Sequence, residues 1–77
     1  MITFEKNLDK DIFELHFDED GINYLINLLN NLKKNQKYMH VHLQSNKYGG
    51  SELSDITQGF NSELINQLDL FYWKWKN

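Results

Sequence analysis

Two histidines, His40 and His42, are spaced as neighbours on one face of a β-strand, within the stretch HVHLQSNKYGGSELSD at residues 40–55. An H-x-H pair joined by a third histidine from a nearby strand is a known way to hold zinc, and His16 could be that third ligand. The other interpretation is that half-exposed histidines suit a sheet surface with aromatic neighbours. Because three histidines without cysteine are a weak ligand signal, we expect no metal and no other cofactor.

Residues for nucleophilic catalysis do not form a recognisable motif. The chain has no cysteine, and Ser45, Ser51 and Ser54 lie in turn-rich sequence rather than in a nucleophile elbow. The pair Gly49 and Gly50 lacks the spacing and the trailing lysine of a phosphate-binding loop. We therefore expect no catalytic residues and a protein that is not an enzyme.

The charge balance argues against nucleic acid as a partner. The chain of 77 residues has a formal net charge of −3, and its eight cationic side chains are all lysine. Binding to nucleic acid needs a basic surface, and arginine is the usual reader of guanine. The C-terminal FYWKWK could stack single-stranded bases, but strand alternation would turn Lys74 and Lys76 away from Trp73 and Trp75.

Length and hydropathy predict a single domain, residues 1–77, in the cytoplasm. A chain this short buries only about 60% of the surface that its unfolded form exposes, so its core is small. No apolar run approaches the roughly 18 residues of a membrane span, and we expect no membrane partner. The opening MITFEKN also lacks the order of basic, apolar and small residues that marks a signal peptide.

The pattern of apolar residues predicts an α+β fold with the order β-β-α-β-β. Period-two alternation in ITFEK, IFELHF, YMHVHLQS and LINQLDLFYWKW indicates about four strands of a mainly antiparallel sheet, although the N-terminal half of the last segment could be helical. One amphipathic helix should span roughly residues 20–34, with Asp18 or Asp20 as its N-cap. Its apolar stripe consists of Ile22, Leu25, Ile26, Leu29 and Leu32.

One helix can cover only one face of such a sheet. We expect the helix to pack on one face and to bury Leu25, Leu29, Phe13, Leu15, Val41 and Leu43 almost completely. The opposite face would carry Glu14, His16, His40, His42, Phe71, Trp73 and Trp75. An aromatic face rimmed by polar groups is typical of protein–protein interfaces.

The central motif adds a resemblance. An amphipathic helix, a strand with H-x-H-L and a loop with an aromatic-Gly-Gly-x-Glu-Leu-Ser run resemble the immunity protein 32 family of bacterial toxin systems. The residues that carry it are His40, His42, Leu43, Tyr48, Gly49, Gly50, Glu52, Leu53 and Ser54. The segments FELHFDEDGINYLINLL and NSELINQL extend it over most of the chain. The family pattern has tryptophan before the glycine pair, where this chain has Tyr48.

The resemblance implies an antitoxin that binds a cognate toxin protein and blocks its activity. The expected partner-binding residues are His40, His42, Tyr48, Gly49, Gly50, Glu52, Leu53 and Trp73. An acidic inhibitor would also be steered toward a basic toxin by long-range electrostatics. Two alternatives stay open, namely a small metal- or ligand-binding domain centred on His40 and His42, and a structural homodimer whose tryptophan faces bury each other.

Overall fold

The structure is a computed structural model that describes residues 1–34 and 40–73. Its elements, in chain order, are β1 (Ile2–Asn7), β2 (Phe13–Phe17), α1 (Glu19–Lys34), β3 (His40–Gln44), a short 3-10 helix (Asn46–Tyr48), β4 (Ser62–Leu64) and β5 (Gln67–Phe71). All strand pairs among these residues are antiparallel, so the predicted α+β class and the order of elements are confirmed. Tyr38, Met39 and Trp75, which the sequence assigns to strands, lie outside the described residues.

The strands form two sheets rather than one. A three-stranded sheet has the order β2-β1-β4, and a two-stranded sheet pairs β3 with β5. The predicted last strand begins at Leu64, which belongs to β4 and pairs with β1, whereas the residues from Gln67 onward form β5 and pair with β3. The sequence does not predict the rest of β4, Ser62 and Glu63. Ser45, which follows β3, contacts the connection between β4 and β5: its backbone N–H donates a hydrogen bond of 3.0 Å to the carbonyl of Asn66.

The helix begins at a capped terminus. A side-chain oxygen of Asp18 accepts a hydrogen bond from the backbone N–H of Gly21 at 2.8 Å, as an N-cap residue does. The same carboxylate lies 2.6 Å from the N-terminal ammonium of Met1. Acidic residues in the first turn and lysines in the last turn also match the helix dipole. No helix among the described residues is long and apolar enough to cross a membrane.

The core lies where the two sheets and the helix meet. Ile2, Leu43 and Leu53 form its buried centre. Half-buried side chains pack around them, namely Phe4, Leu25, Leu28, Leu68 and Leu70. The expectation that Leu43 is almost fully buried is confirmed, since its side chain is 1% exposed. Leu25 and Val41 are half-buried rather than fully buried.

The prediction of almost complete burial is wrong for three residues. Phe13, Leu15 and Leu29 are 54%, 40% and 53% exposed. The reason is the orientation of α1, because the side of the helix that is turned inward carries Gly21, Leu25, Leu28 and Leu32. The flank that carries Ile22, Ile26 and Leu29 is turned outward, and the β2 edge of the three-stranded sheet is left partly uncovered.

Candidate functional site

An exposed row of rings crosses the two-stranded sheet, and we name it the aromatic stripe: His42, His40, Phe71 and Trp73. The β3–β5 register places His40 directly opposite Phe71. Ring centroids lie 5.0 Å apart for His42 and His40, 5.3 Å for His40 and Phe71, and 6.2 Å for Phe71 and Trp73. These distances are typical of favourable ring contacts. The strand pair holds His40, His42 and Phe71, and Trp73, just beyond β5, extends the same surface.

An acidic group fixes one end of the aromatic stripe. Nδ1 of His42 lies 2.6 Å from a carboxylate oxygen of Asp69, the residue opposite it in the register. The hydrogen bond with His42, followed by one from the side-chain amide of Gln67, lowers the pKa of Asp69 below its ordinary value of 3.8. The carboxylate therefore stays charged at neutral pH and orients the imidazole ring.

The glycine pair forms a tight turn beside the end of β3. Gly49 caps the 3-10 helix with a φ of +84°, in the left-handed region that glycine adopts without steric cost. Gly50 approaches β3 so closely that a Cβ atom there would lie 2.6 Å from the carbonyl oxygen of Gln44. Next along the chain, Glu52 accepts a hydrogen bond of 3.0 Å from the backbone N–H of Gln44. Gly50 is thus required by the packing of the turn.

Leu53 does not lie on the surface that the sequence assigns to it. Its side chain is 3% exposed and packs in the core with Ile2 and Leu43. The cause is a pair of backbone hydrogen bonds, because the N–H of Leu53 donates to Gln44 and that of Ser54 donates to Ile2. The segment thereby bridges the two sheets, and the side chain of Leu53 points between them.

The remaining predicted binding residues fall at two ends of the small sheet. Trp73 follows Phe71, which pairs with the first residue of β3, whereas Tyr48 follows the last residue of β3. Both side chains are about half exposed. The structure therefore joins His40, His42 and Trp73 in one surface and places Tyr48 with the glycine turn at the opposite end.

His16 does not join the other two histidines. It lies on the three-stranded sheet, where its Nε2 is 2.8 Å from Glu14 and 3.9 Å from Glu5. One ligand atom from each of Glu5, Glu14 and His16 lies within 4.8 Å of the others. Two carboxylates and an imidazole are a donor set that divalent cations such as Zn²⁺ accept. The three-histidine zinc site considered from the sequence is not assembled.

The same cluster already has partners within the protein. The carboxylate of Glu5 is completely buried and accepts hydrogen bonds from the backbone N–H groups of Gln58 and Gly59, at 2.6 and 2.8 Å. A Cβ atom at position 59 would lie 2.7 Å from a carboxylate oxygen of Glu14 and 2.8 Å from one of Glu5, so a larger residue there would displace these carboxylates. The sequence does not predict this arrangement. Alternation along β1 puts Glu5 on the side opposite Ile2 and Phe4, and no local pattern indicates that the loop at Gln58 and Gly59 covers it.

Comparisons of the chain with protein-family models, with curated proteins and with solved structures give no match. Its function has to be argued from its own residues.

Proposed function

We propose that this protein is an immunity protein, an antitoxin that binds a cognate bacterial toxin and neutralises it by protein–protein interaction. The observation that carries the proposal is the aromatic stripe, which holds four rings exposed on a two-stranded sheet. The resemblance of the H-x-H-L and Gly-Gly-x-Glu-Leu-Ser segments to the immunity protein 32 family supports the same function. The proposed site of action is the bacterial cytoplasm.

The composition of the aromatic stripe suits a protein partner. Interface energy is concentrated in a few aromatic anchors with a polar surround that excludes water. Phe71 and Trp73 supply such anchors, and the His42–Asp69 pair supplies polar groups beside them. Because β5 fixes Phe71, and Trp73 stacks on the ring of Phe71, little conformational entropy is lost when a partner covers them.

The charge of the chain supports a basic partner. Its net charge is −3, with a pI of about 5.4. Opposite net charge accelerates the encounter of two proteins, most strongly at low ionic strength. A toxin that acts on nucleic acid would carry such a basic surface.

Binding rather than catalysis is the proposed activity. His42 and Asp69 form an imidazole–carboxylate pair, which could serve as the base half of a catalytic dyad. A nucleophile would have to lie within hydrogen-bond reach of that imidazole. Among the described residues, the groups shown in contact with His42 are Asp69 and the ring of His40, and neither is a hydroxyl or a thiol.

Co-expression with the cognate toxin domain tests the proposal, and the first step is to ask whether a toxin domain is encoded beside this gene. We expect the unaltered chain to protect the cells and to form a stable complex with the purified toxin domain. The combined variant Phe71→Ala/Trp73→Ala should lose both properties. Phe60→Ala is the matched control, because Phe60 is 93% exposed and lies outside the aromatic stripe. An unaltered chain that neither protects nor binds would refute the proposal.

A further inference from the structure

The outer strand of the three-stranded sheet, β2, has a hydrogen-bonding edge that no other strand of the described residues covers. Two backbone hydrogen bonds at the ends of the β1–β2 ladder establish its pattern. The N–H of Asn7 donates to the carbonyl of Ile12, and the N–H of Asp18 donates to the carbonyl of Met1. Hydrogen-bonded and non-bonded pairs alternate in an antiparallel ladder. With the observed register, Glu14 and His16 therefore bond to β1. The backbone N–H and C=O groups of the other three strand residues point outward, away from β1: Phe13, Leu15 and Phe17.

The sequence of β2, FELHF, is complementary to itself when read in the opposite direction. In an antiparallel pair of two such strands centred on Leu15, each Phe13 lies opposite a Phe17. Each Glu14 then lies opposite the His16 of the other strand, so a carboxylate faces an imidazole at both of these cross-strand pairs. In this register Phe13, Leu15 and Phe17 all form hydrogen-bonded pairs, and every outward backbone group of the strand finds a partner.

The face of β2 beside this edge is apolar and only partly covered. Phe13, Leu15 and Phe17 are 54%, 40% and 44% exposed. Helix α1 lies over the same face, since Gly21 approaches the Cβ atom of Phe17. Contiguous exposed apolar patches mark interaction sites, and an unpaired strand edge is a template for pairing with another chain.

The flank of α1 that faces β2 extends this apolar area. Tyr24, on the other flank, lines a cavity of about 510 Å³ together with Ser51 and Ser54. Those serines belong to the segment that bonds to the edge of β1 opposite β2. The flank turned toward β2 therefore carries two exposed apolar side chains, Ile22 and Ile26. Leu29, further along the helix, instead lines a pocket with Leu70, Phe71 and Tyr72 at the end of β5.

We propose that β2 pairs with β2 of a second copy of this chain, across a two-fold axis through Leu15. The two three-stranded sheets become one continuous sheet of twice the width. The two α1 flanks then face each other above the shared strands and cover Phe13, Leu15 and Phe17 from both sides. Such an isologous contact closes on itself and leaves no further edge at β2.

This interface goes beyond the proposed antitoxin function and does not depend on it. The aromatic stripe lies on the other sheet, which β2 does not join. A dimer built through β2 therefore leaves both copies of the stripe exposed for a partner. A homodimer through the tryptophan faces, the alternative raised by the sequence, would bury them instead.

Substitution on the two-fold axis tests the interface. We expect the unaltered chain to sediment as a dimer at micromolar concentration. Leu15→Lys and Leu15→Glu should each raise the dimer dissociation constant at least about tenfold, because like charges then face each other. A 1:1 mixture of the two variants should restore the dimer, since ammonium and carboxylate then meet across the axis. Ile56→Lys, at another exposed apolar side chain, is the matched control and should remain dimeric.

Hydrogen exchange on the unaltered chain tests the same contact without any substitution. The amides of Phe13, Leu15 and Phe17 should exchange more slowly as the protein concentration rises. The amides of His40 and His42 also point away from their partner strand and should not change. A monomer at all concentrations would overturn the proposal. So would concentration-dependent protection at β3 in place of β2, or protection of β2 that appears only when a toxin domain is added.

Discussion

The backbone N–H of Gly59 donates a hydrogen bond of 2.8 Å to the buried carboxylate of Glu5, across 54 positions of the chain. Through this bond and its neighbour from Gln58, the loop that precedes β4 covers the side of the three-stranded sheet that α1 does not reach. Thr3, on the same side of β1, is also completely buried. The sheet is therefore covered on both sides at β1, by apolar packing on one and by a polar loop on the other.

Removing the carboxylate of Glu5 should destabilise the fold. In Glu5→Ala, the N–H groups of Gln58 and Gly59 lose their acceptor, and partly buried donors without a partner are costly. We expect the free energy of unfolding to fall by about 2–4 kcal/mol, measured by urea denaturation. Glu14→Ala is the control, because the side chain of Glu14 is 34% exposed and its loss should cost less. Equal losses in the two variants would contradict this account of Glu5.

The core can be tested with two leucines. Leu43 is almost fully buried, so Leu43→Ala should cost about 2–5 kcal/mol in the free energy of unfolding. Leu29 is 53% exposed, and Leu29→Ala should cost less than about 1 kcal/mol in the same urea titration. A larger loss for Leu29 than for Leu43 would show that α1 packs through its other flank.

The sequence predicts what depends on local periodicity and on charge at helix ends. The limits of α1 and its cap at Asp18 follow from an apolar repeat flanked by acidic and basic residues. The sequence does not determine which flank of α1 faces the core. Leucine stands at both positions 28 and 29, and the apolar repeat can continue through either residue. That choice is made by the contacts of Leu28 with the core.

The candidate site was predictable to a similar extent. Alternation along β3 and the last strand predicts His40, His42, Phe71 and Trp73 on one face. The register confirms this for His40, His42 and Phe71, and Trp73 stacks on Phe71. The burial of Leu53 and Glu5 depends on hydrogen bonds between segments that are far apart in the chain. Such hydrogen bonds leave no periodic pattern in the sequence. The turn-rich stretch around Leu53 also has no periodic pattern of apolar residues.

Acid should destabilise the protein through two carboxylates. The N-terminal ammonium, and then the backbone N–H of Gly21, lower the pKa of Asp18 below 3.8, while His42 and Gln67 lower that of Asp69. Because both pKa values are lower in the folded than in the unfolded chain, their stabilisation is present above pH 3.8 and is lost as the pH falls through the folded-state values. Urea denaturation at a series of pH values should show this decline.

The variants Asp18→Asn and Asp69→Asn separate the two contributions to acid sensitivity. Each should lower the stability at neutral pH and reduce the slope of stability against pH below 3.8. If the free energy of unfolding of a variant falls with decreasing pH in the same way as it does for the unaltered chain, the substituted carboxylate does not contribute to the acid sensitivity.

Chelation should leave the fold unchanged. Glu5 is bonded to two backbone N–H groups, and His16 is bonded to Glu14, so these side chains have partners within the protein. We expect the same melting temperature with and without a chelator, measured by thermal unfolding. Stoichiometric zinc that survives dialysis would contradict this prediction. Its loss in His16→Ala would assign the metal to Glu5, Glu14 and His16, and its loss in His40→Ala would assign it to the aromatic stripe.

The aromatic stripe and the glycine turn can be separated by their effects on toxin binding and on stability. Trp73→Ala should weaken binding to the toxin domain by about 2 kcal/mol or more, because an aromatic anchor is lost from an exposed surface. Its free energy of unfolding should change little. Tyr48→Ala tests whether the partner also reaches the opposite end of the small sheet, and we expect a loss of similar size if it does.

Gly50→Val serves as the structural control for these binding measurements. A side chain at position 50 collides with the backbone of Gln44, so this variant should lose stability and binding together. Gly49→Val meets open space but requires a positive φ, which strains a β-branched residue. Calorimetric titration and urea denaturation of each variant give the two free energies side by side. If Trp73→Ala loses stability in proportion to binding, or retains full protection of toxin-exposed cells, the aromatic stripe is structural and the toxin binds elsewhere.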